Sequence, residues 1–358
     1  MKFKINIQKN PSLKPHPKDD ELGFGKIFTD HMFLMDYQAG KGWYNPRVEP
    51  YATFSLDPST MVLHYGQAIF EGLKAFRSQS DEILLFRPKQ YMARFNRSAT
   101  KLCIPLVDEA FLLEALITLI GLESSWVPKK AGTSLYIRPT IIATDPYLGV
   151  RPSETYRLFI ILSPVGAYYP EGFNPVKIMV SDEFVRAVKG GLGEAKTPAN
   201  YAASLFAGEQ AKKKGFTQVL WLDGIERKYI DEVGTMNIFF LLKDELVTPP
   251  LEGAVLGGVT RDSVIQLARH WGLNVKERRI SIQEVMGAAE KGTLKEVFGS
   301  GTAAVISPVG ELAYQEKKVI INEGKVGELA NRLYEEINAY QYGEKKDPFG
   351  WIMTACKG

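Results

Sequence analysis

The stretch "GGLGEAKTPANYAASL", which begins at Gly190, sets Lys196 between a run of glycines and the first turn of a helix. Most lysines keep a surface wet, but an amine aimed into a cleft is a nucleophile once it has lost its proton, which burial or a neighbouring cation favours. Its natural partner is an aldehyde. A phosphorylated aldehyde cofactor built on a basic aromatic ring makes further demands: a carboxylate for the ring nitrogen, backbone N–H groups and an arginine for the phosphate, and a hydroxyl near the ring oxygen. Glu232, in "YIDEVGTMNIFF", stands between two strand-like runs, where a carboxylate can reach inward. Gly257 and Gly258 precede an amphipathic helix in "VLGGVTRDSVIQLARHWG", so the N–H groups near Val259 and Thr260 form an anion site of the kind phosphates use. "FGSGTAAV" is a second glycine-rich turn, with Ser300 to Thr302 placed to close the other side. Tyr201, one turn after Lys196, brings a phenol. These are the groups that pyridoxal phosphate requires.

Elements must hold these groups in place. Thr197 can cap a helix, Pro198 suits its first position, and the Lys212–Lys214 run ending at Gly215 suits its end, which predicts a helix over about 198–214. Upstream, "KIFTDHMFLMDY", "EILLFRP", "TSLYIRPTIIAT" and "YRLFIILSPVG" read as strands, while "PKQYMARFNRSATKL" and "DEAFLLEALITLIGLESSW" read as helices. "GAYYPEGFNPV" concentrates Gly, Pro, Asn and aromatics and predicts a link between domains. The expected division is a small domain over 1–165, a link over 166–176 and a larger cofactor domain over 177–358. Asp223-Gly224 and "NIFFLLKDELVTPP" signal hairpins, so antiparallel sheet mixed with helices is expected, and a doubly wound dinucleotide fold is disfavoured.

Composition narrows the classes. The 358 residues suit two domains, and 45% apolar with 24% charged residues is a globular composition. A net charge of +3 from 44 basic and 41 acidic residues disfavours a nucleic-acid partner. No apolar run reaches the roughly 18 residues of a membrane span, and the polar first residues do not resemble a signal peptide, so a cytoplasmic location is expected. Cys103 and Cys356 suggest neither a disulfide framework nor zinc, and His16, His31, His64 and His270 show no ligand spacing, so no metal is expected.

Taken in order, these segments resemble the branched-chain amino-acid aminotransferases, pyridoxal-phosphate enzymes of fold type IV. The resemblance runs from "GFGKIFTDHM" through "LHYGQAIFEGLKAF", "LFRPKQYMARFNRSATKL", "AGTSLYIRP", "LSPVGAYY", "GEAKTPANYAASL", "QVLWLDG", "EVGTMNIFF" and "LVTPPLEGAVLGGVTR" to "EVFGSGTAAV", most of the chain. It implies an α+β fold of two domains, like that of D-amino-acid aminotransferase. It implies that Lys196 is the catalytic lysine that joins the cofactor, that Tyr201 serves the ring oxygen and Glu232 the ring nitrogen. Arg94, Thr235, Leu256, Val259, Thr260 and Thr302 are implied as the other cofactor residues. On the substrate side the resemblance implies Phe24, Phe70, Tyr136, Arg138, Tyr168, Thr302 and Ala303, with Tyr65, Leu148 and Val150 reaching in from the second subunit of a homodimer. The period of a strand puts Tyr136 and Arg138 on one face, and the family uses this pair to accept glutamate's side-chain carboxylate.

The implied reaction transfers the amino group of L-leucine, L-isoleucine or L-valine to 2-oxoglutarate in two half-reactions. A D-amino-acid aminotransferase or an aminodeoxychorismate lyase would keep the same lysine, glutamate and phosphate turns, and Tyr136 with Arg138 argues against both. A phosphate-binding regulatory protein would leave Lys196, Glu232 and Arg138 without a purpose. The chain departs from many relatives at Pro198-Ala199, where they carry two glycines; proline removes an N–H there and stiffens the start of the helix. Ala304 and Ser307 stand where some relatives have a Cys-x-x-Cys pair, so thiol control of that kind is not expected.

Overall fold

A computed structural model describes residues 4–166 and 172–358. The chain forms two compact units: Met1–Tyr168 with Ala195–Pro198 and Asn338–Gly358, and Tyr169–Glu194 with Ala199–Ile337. The short segment that carries Lys196 thus belongs with the first unit, although it follows the predicted link in sequence.

The strands of the first unit are β1 (Asn6–Ile7), β2 (His31–Gln38), β3 (Gly42–Pro50), β4 (Ala68–Phe70), β5 (Leu73–Arg77), β6 (Glu82–Phe86), β7 (Ser134–Ala143) and β8 (Thr155–Val165). With a last strand near the C-terminus, Ile352–Lys357, they form one sheet in the order β1-β3-β2-β8-β7-β5-β6 and then that last strand, while β4 pairs with β7. Every pairing is antiparallel except β1 with β3. In β7 the side chains of Leu135, Ile137 and Ile141 are fully buried, whereas Tyr136, Arg138 and Thr140 between them are half-buried. That two-residue period gives the sheet a packed face and a face open to chemistry. Helix α1 (Met61–Tyr65) is a single turn; α2 (Pro88–Lys101) starts on a proline, and α3 (Glu109–Leu122) is capped by Asp108, whose carboxylate accepts from Phe111 N at 2.7 Å. Phe95, Leu112, Leu116 and Leu119 of α2 and α3 are fully buried, each contributing about 2 kcal/mol through area removed from water.

The second unit contributes β9 (Val176–Ser181), β10 (Gln218–Leu222), β11 (Ile230–Val233), β12 (Asn237–Leu242), β13 (Glu245–Thr248), β14 (Asn274–Glu277), β15 (Leu294–Gly301), β16 (Val305–Tyr314) and β17 (Lys317–Ile320). Their order is β11-β10-β9-β16-β15-β12-β13-β14, with β17 on β16. Parallel pairs (β9 with β10 and β16, β13 with β14) mix with antiparallel ones, as the sequence led us to expect. Both predicted hairpins form. In the first, the Asp223 carboxylate accepts from the amides of Ile225, Glu226, Lys228 and Tyr229 and so holds a longer loop than the Asp-Gly pair alone implies.

The helix predicted over 198–214 is broken in two, Pro198–Ala202 (α4) and Leu205–Lys213 (α5). Ser204 explains the break: its hydroxyl donates to the Tyr201 carbonyl at 2.7 Å, a local bond that competes with the helical ladder. Thr197 does not spend its hydroxyl within the helix, since it donates to the Ala68 carbonyl at 2.9 Å. Helices α6 (Val259–His270), α7 (Ile282–Glu290) and α8 (Glu328–Gln341) complete the set, and the strand at Ile352–Lys357 is β18. Among the described residues no helix is long and apolar enough to cross a membrane.

Candidate active site

In the first unit the backbone of Lys196 is pinned from both sides. Its N–H donates to Ser98 Oγ at 2.9 Å, and its carbonyl accepts from Phe70 N at 3.0 Å. With the Thr197 hydroxyl on the Ala68 carbonyl, the segment is held along β4 through its backbone and through Thr197. The amine lies 5.1 Å from the centre of the Phe70 ring. Ser98 sits on α2 one turn after Arg94, so the two share a helix face and α2 presents both the lysine's anchor and the arginine.

Arg94 is 4% exposed, and its Nε and Nη2 donate to Glu71 Oε1 and Oε2 at 2.7 and 2.8 Å. A buried fork-to-fork pair of this kind fixes the guanidinium plane and satisfies one edge of it. Glu71, 0% exposed and also accepting from Gly72 N, is a positioning residue that the sequence did not reveal, because it meets Arg94 only through the fold.

On the open face of the sheet, Arg138 Nη2 donates to the Tyr136 hydroxyl at 3.1 Å, and its guanidinium lies 4.6 Å from the Phe70 ring centre. Phe24 packs edge-on against Tyr136 with centroids 5.0 Å apart. Gly72 is required here, since a Cβ on it would fall 2.0 Å from the Tyr136 hydroxyl. The structure therefore brings Lys196, Phe70, Tyr136, Arg138 and Phe24 together within one unit. Tyr65, Leu148 and Val150 form a separate group. They are 42%, 60% and 86% exposed, and the Tyr65 hydroxyl donates to the Leu148 carbonyl. Tyr168 and part of the expected link lie outside the described residues.

The second unit builds a polar cup around Glu232. This residue, 3% exposed, accepts from Leu256 N at 2.9 Å and Asn237 Nδ2 at 3.1 Å through Oε1, and pairs with Arg186 at 2.9 Å through Oε2. One cationic and two neutral donors satisfy the group as an anion. Asn237 also donates to the Leu256 carbonyl at 2.8 Å, which ties the acid to the turn before α6. A Cβ at Gly258 would meet Asn237 Oδ1 at 2.0 Å, so this glycine lets the helix start approach the cup. Val259 and Thr260 are buried in the first turn of α6, whose N-cap Gly258 supplies no side-chain cap. Leu256, Tyr201, Thr302 and Ala303 are half-buried, whereas Thr235 is exposed in the turn between β11 and β12. Arg186 and Asn237 were not singled out from sequence; a cation in "DEFVRA" gives no sign that a carboxylate far along the chain awaits it.

Ser300 tests whether this cup suits a phosphorylated aldehyde. It stands opposite Asn237 in the β12–β15 ladder, is 1% exposed, and its Oγ has no hydrogen-bond partner among the described residues. A buried hydroxyl without a partner costs stability unless a ligand satisfies it. With Glu232, the start of α6 and the Ser300–Thr302 turn in one unit, the donor set fits pyridoxal phosphate.

Asp231, next to Glu232 in β11, gives the second unit's stability a pH dependence. Burial, and then the neighbouring Glu232, push its carboxyl up to about 7. A raised acid keeps its proton longer in the folded chain than in the unfolded one, so stability falls as pH rises from about 4 to about 7 and stays low above that. Replacing Asp231→Asn is expected to stabilise the protein at pH 8 by on the order of 1–2 kcal/mol after solvent screening, with the gain vanishing near pH 4. Denaturant unfolding of both proteins at the two pH values measures it; equal gains at both would remove the charge from the explanation.

Comparison with known proteins follows the same order of residues. Residues 68–312 match the family model described as amino-transferase class IV. The chain is 58% identical to branched-chain-amino-acid aminotransferase 2 of Bacillus subtilis (strain 168), with 98% of this chain and 97% of that protein covered. It is 55% identical to branched-chain-amino-acid transaminase 1 of the same organism, with 98% of each covered. Among solved structures it resembles the branched-chain amino acid aminotransferase of Escherichia coli, with a TM-score of 0.76, 28% identity, and 91% and 99% of the two chains covered. A branched-chain amino acid aminotransferase from T.th., solved with pyridoxamine 5'-phosphate, gives a TM-score of 0.74 at 26% identity, covering 90% of this chain and 98% of that one.

Proposed function

The chain belongs to the branched-chain aminotransferases of amino-transferase class IV, and from that premise we propose that it moves the amino group of L-leucine, L-isoleucine or L-valine to 2-oxoglutarate. The observation that carries the substrate reading is the Phe70 ring. An amine fit for chemistry, Lys196, lies 5.1 Å from its centre, and a cation fit for an acid, Arg138, lies 4.6 Å from it. One ring thus offers an apolar wall to a branched side chain beside a guanidinium for glutamate's second carboxylate, the two demands that a single pocket must meet.

The cofactor is pyridoxal phosphate, which supplies, when bound, an electron sink that takes the amino group from one acid and returns it to another. Lys196 Nζ is the group that takes and returns the proton of the substrate's α carbon. For the phosphate, the first unit would offer Arg94, steadied by Glu71, and the second unit would offer the first turn of α6 at Val259 and Thr260 together with Thr302. Glu232 holds the ring nitrogen's proton, Arg186 holds Glu232, and Tyr201 donates to the ring oxygen. In the second unit, Leu256, Thr235 and Ala303 would serve the cofactor and the substrate, and in the first unit Phe24 with Tyr136 would form the apolar wall.

The reading includes a homodimer. Exposed Leu63, Tyr65, Tyr147, Leu148 and Val150 leave an apolar group on the first unit that a second copy would cover. Soluble amino acids and 2-oxo acids are the partners, and the cytoplasm is the compartment.

The visible absorption of the protein loaded with pyridoxal phosphate tests the reaction. L-Leucine alone is expected to bleach the lysine-linked band, and 2-oxoglutarate added afterwards to restore it. A band that ignores leucine overturns the substrate reading.

A further inference from the structure

His31, the first residue of β2, is a buried titratable group that the proposed roles leave unused; it is 3% exposed. Its Nδ1 meets Glu123 Oε1 just after α3, and its Nε2 accepts from the backbone N–H of Asn10 at 2.7 Å, in the arm that precedes β2. An amide N–H only donates, so Nε2 is a bare acceptor and the ring's one proton sits on Nδ1, where it points at Glu123. His31 is therefore neutral whenever this bond is made. A second proton would set N–H against N–H at Asn10. Glu123, 1% exposed, also accepts from Asp30 N at 3.0 Å, so the carboxylate holds the imidazole and its neighbour together.

The arm is otherwise fastened near the surface. Both residues of β1 are exposed, and Gln8 N donates to the Val48 carbonyl at 2.9 Å. Lys14 N donates to Asp30 Oδ1 at 2.8 Å and its ammonium to the Thr29 carbonyl at 2.9 Å, while Asp30 Oδ2 accepts from Trp126 Nε1 at 2.8 Å. The exposed ring of His16 lies 4.3 Å from that of Trp126. The charged and titratable groups around His31 are thus Glu123 from the end of α3, Asp30 beside it in sequence, and Lys14 and His16 from the arm. Tyr51, which follows β3, donates its N–H to the Asp30 carbonyl at 2.8 Å. β3 sets Pro50 opposite His31, with Glu49 next to it spent on Arg47, and β8 offers the Leu162 carbonyl to Thr29 N. Further along, Asp19 accepts from the amides of Lys129 and Lys130 at 2.9 Å each, a second fastening that stands between His31 and Phe24.

We infer that His31 is a proton-operated latch: neutral, it holds the arm closed, and on taking up a second proton it releases the stretch from β1 to His16. The proton adds to Nε2, the bond from Asn10 N breaks, and the imidazolium keeps its Nδ1–H on Glu123 as an ion pair. Glu123 and Asp30, both anions, drive the uptake, and the Asn10 bond opposes it. Lys14, and His16 once protonated, put like charge in the arm and favour release further. Opening takes up one proton, so acid favours the open arm, and on the acid side its opening constant rises by up to about tenfold per pH unit. Phe24 lies beyond the Asp19 fastening, so the latch governs the arm ahead of the apolar wall rather than the wall itself.

Amide hydrogen exchange of the cofactor-loaded enzyme between about pH 8 and about pH 5, corrected for the intrinsic pH dependence of exchange, tests this across the imidazole range. The amides of Gln8, Asn10 and Lys14 are expected to lose at least about tenfold in protection on acidification, while those of β2 and β8 keep theirs. His31→Gln, which offers one acceptor and a donor but has no proton to gain, is expected to flatten the arm's response. His16→Phe is expected to leave it as in the wild type. An arm equally protected at both ends of the range, or a His31→Gln variant that follows the wild type, overturns the inference; a response lost in His16→Phe overturns it as well, by moving the switch to His16. Should His31→Gln fail to fold, the ring-nitrogen NMR shifts of His31 in the wild type decide. A proton on Nδ1 alone with the arm closed, and on both nitrogens with it open, is expected. A doubly protonated ring beneath a closed arm overturns the latch.

Discussion

Lys196→Ala is expected to lower transamination by at least about a thousandfold while leaving the protein folded. Loss of a positioned acid–base group alone removes a factor of about 10² to 10⁴, and here the same amine is also the cofactor's point of attachment. The fold should survive because Lys196 is anchored through its backbone, by Ser98 Oγ on its N–H and Phe70 N on its carbonyl, bonds that alanine keeps. Two measurements separate the claims. Steady-state turnover with leucine and 2-oxoglutarate should collapse, whereas the denaturant midpoint should move little. Borohydride treatment followed by mass spectrometry should fix the cofactor's mass on the wild type and not on the variant. Turnover at the wild-type rate would remove Lys196 from the chemistry.

Glu232→Gln is expected to lower kcat about a hundredfold or more and to weaken cofactor binding. Glutamine keeps the shape and can still accept from Leu256 N, so the change isolates the charge. Without it, the ring nitrogen loses the anion that keeps it protonated, and preorganised electrostatics of this kind are worth about 3–4 kcal/mol at a reacting centre. Arg186, whose side chain is 7% exposed, would meanwhile be left as a buried cation without its partner, so some loss of stability should accompany the loss of rate. The double variant Glu232→Gln with Arg186→Met is then expected to regain stability and not activity. Recovery of both together would mean that Glu232 serves the fold alone.

Much of the site was legible because its signals are local. Gly257-Gly258 before an amphipathic run marks a helix start, alternation in "SLYIRPTIIA" assigns Tyr136 and Arg138 to one face, and a proline at position 88 marks where α2 begins. Each depends on residues within a turn or two of one another. The order of these segments along the chain then carried the family, which the full-length similarity to branched-chain enzymes bears out.

Other features had no local signal. The break in the helix after Lys196 came from one hydroxyl, Ser204, choosing the Tyr201 carbonyl over solvent, a competition too even for helix propensity to decide. The partners of the buried charges were further beyond reach. Glu71 reads as one acid among 41, Arg186 as one base among 44, and Asn237 as a polar residue at the start of a strand. Lys196 itself, placed by sequence after the predicted link, is gathered into the first unit.

By itself, then, the sequence determined the types and order of the chemical groups, the periods of the elements that carry them and the family to which they belong, because backbone geometry and hydrophobic patterning act over a few residues. Only the tertiary structure decided that Glu71 steadies Arg94, that Arg186 and Asn237 hold Glu232, and that His31 takes Glu123 and Asn10 as its partners. A buried charge must find its partner wherever the folded chain supplies one, and which strands and helices become neighbours depends on the packing of the whole core.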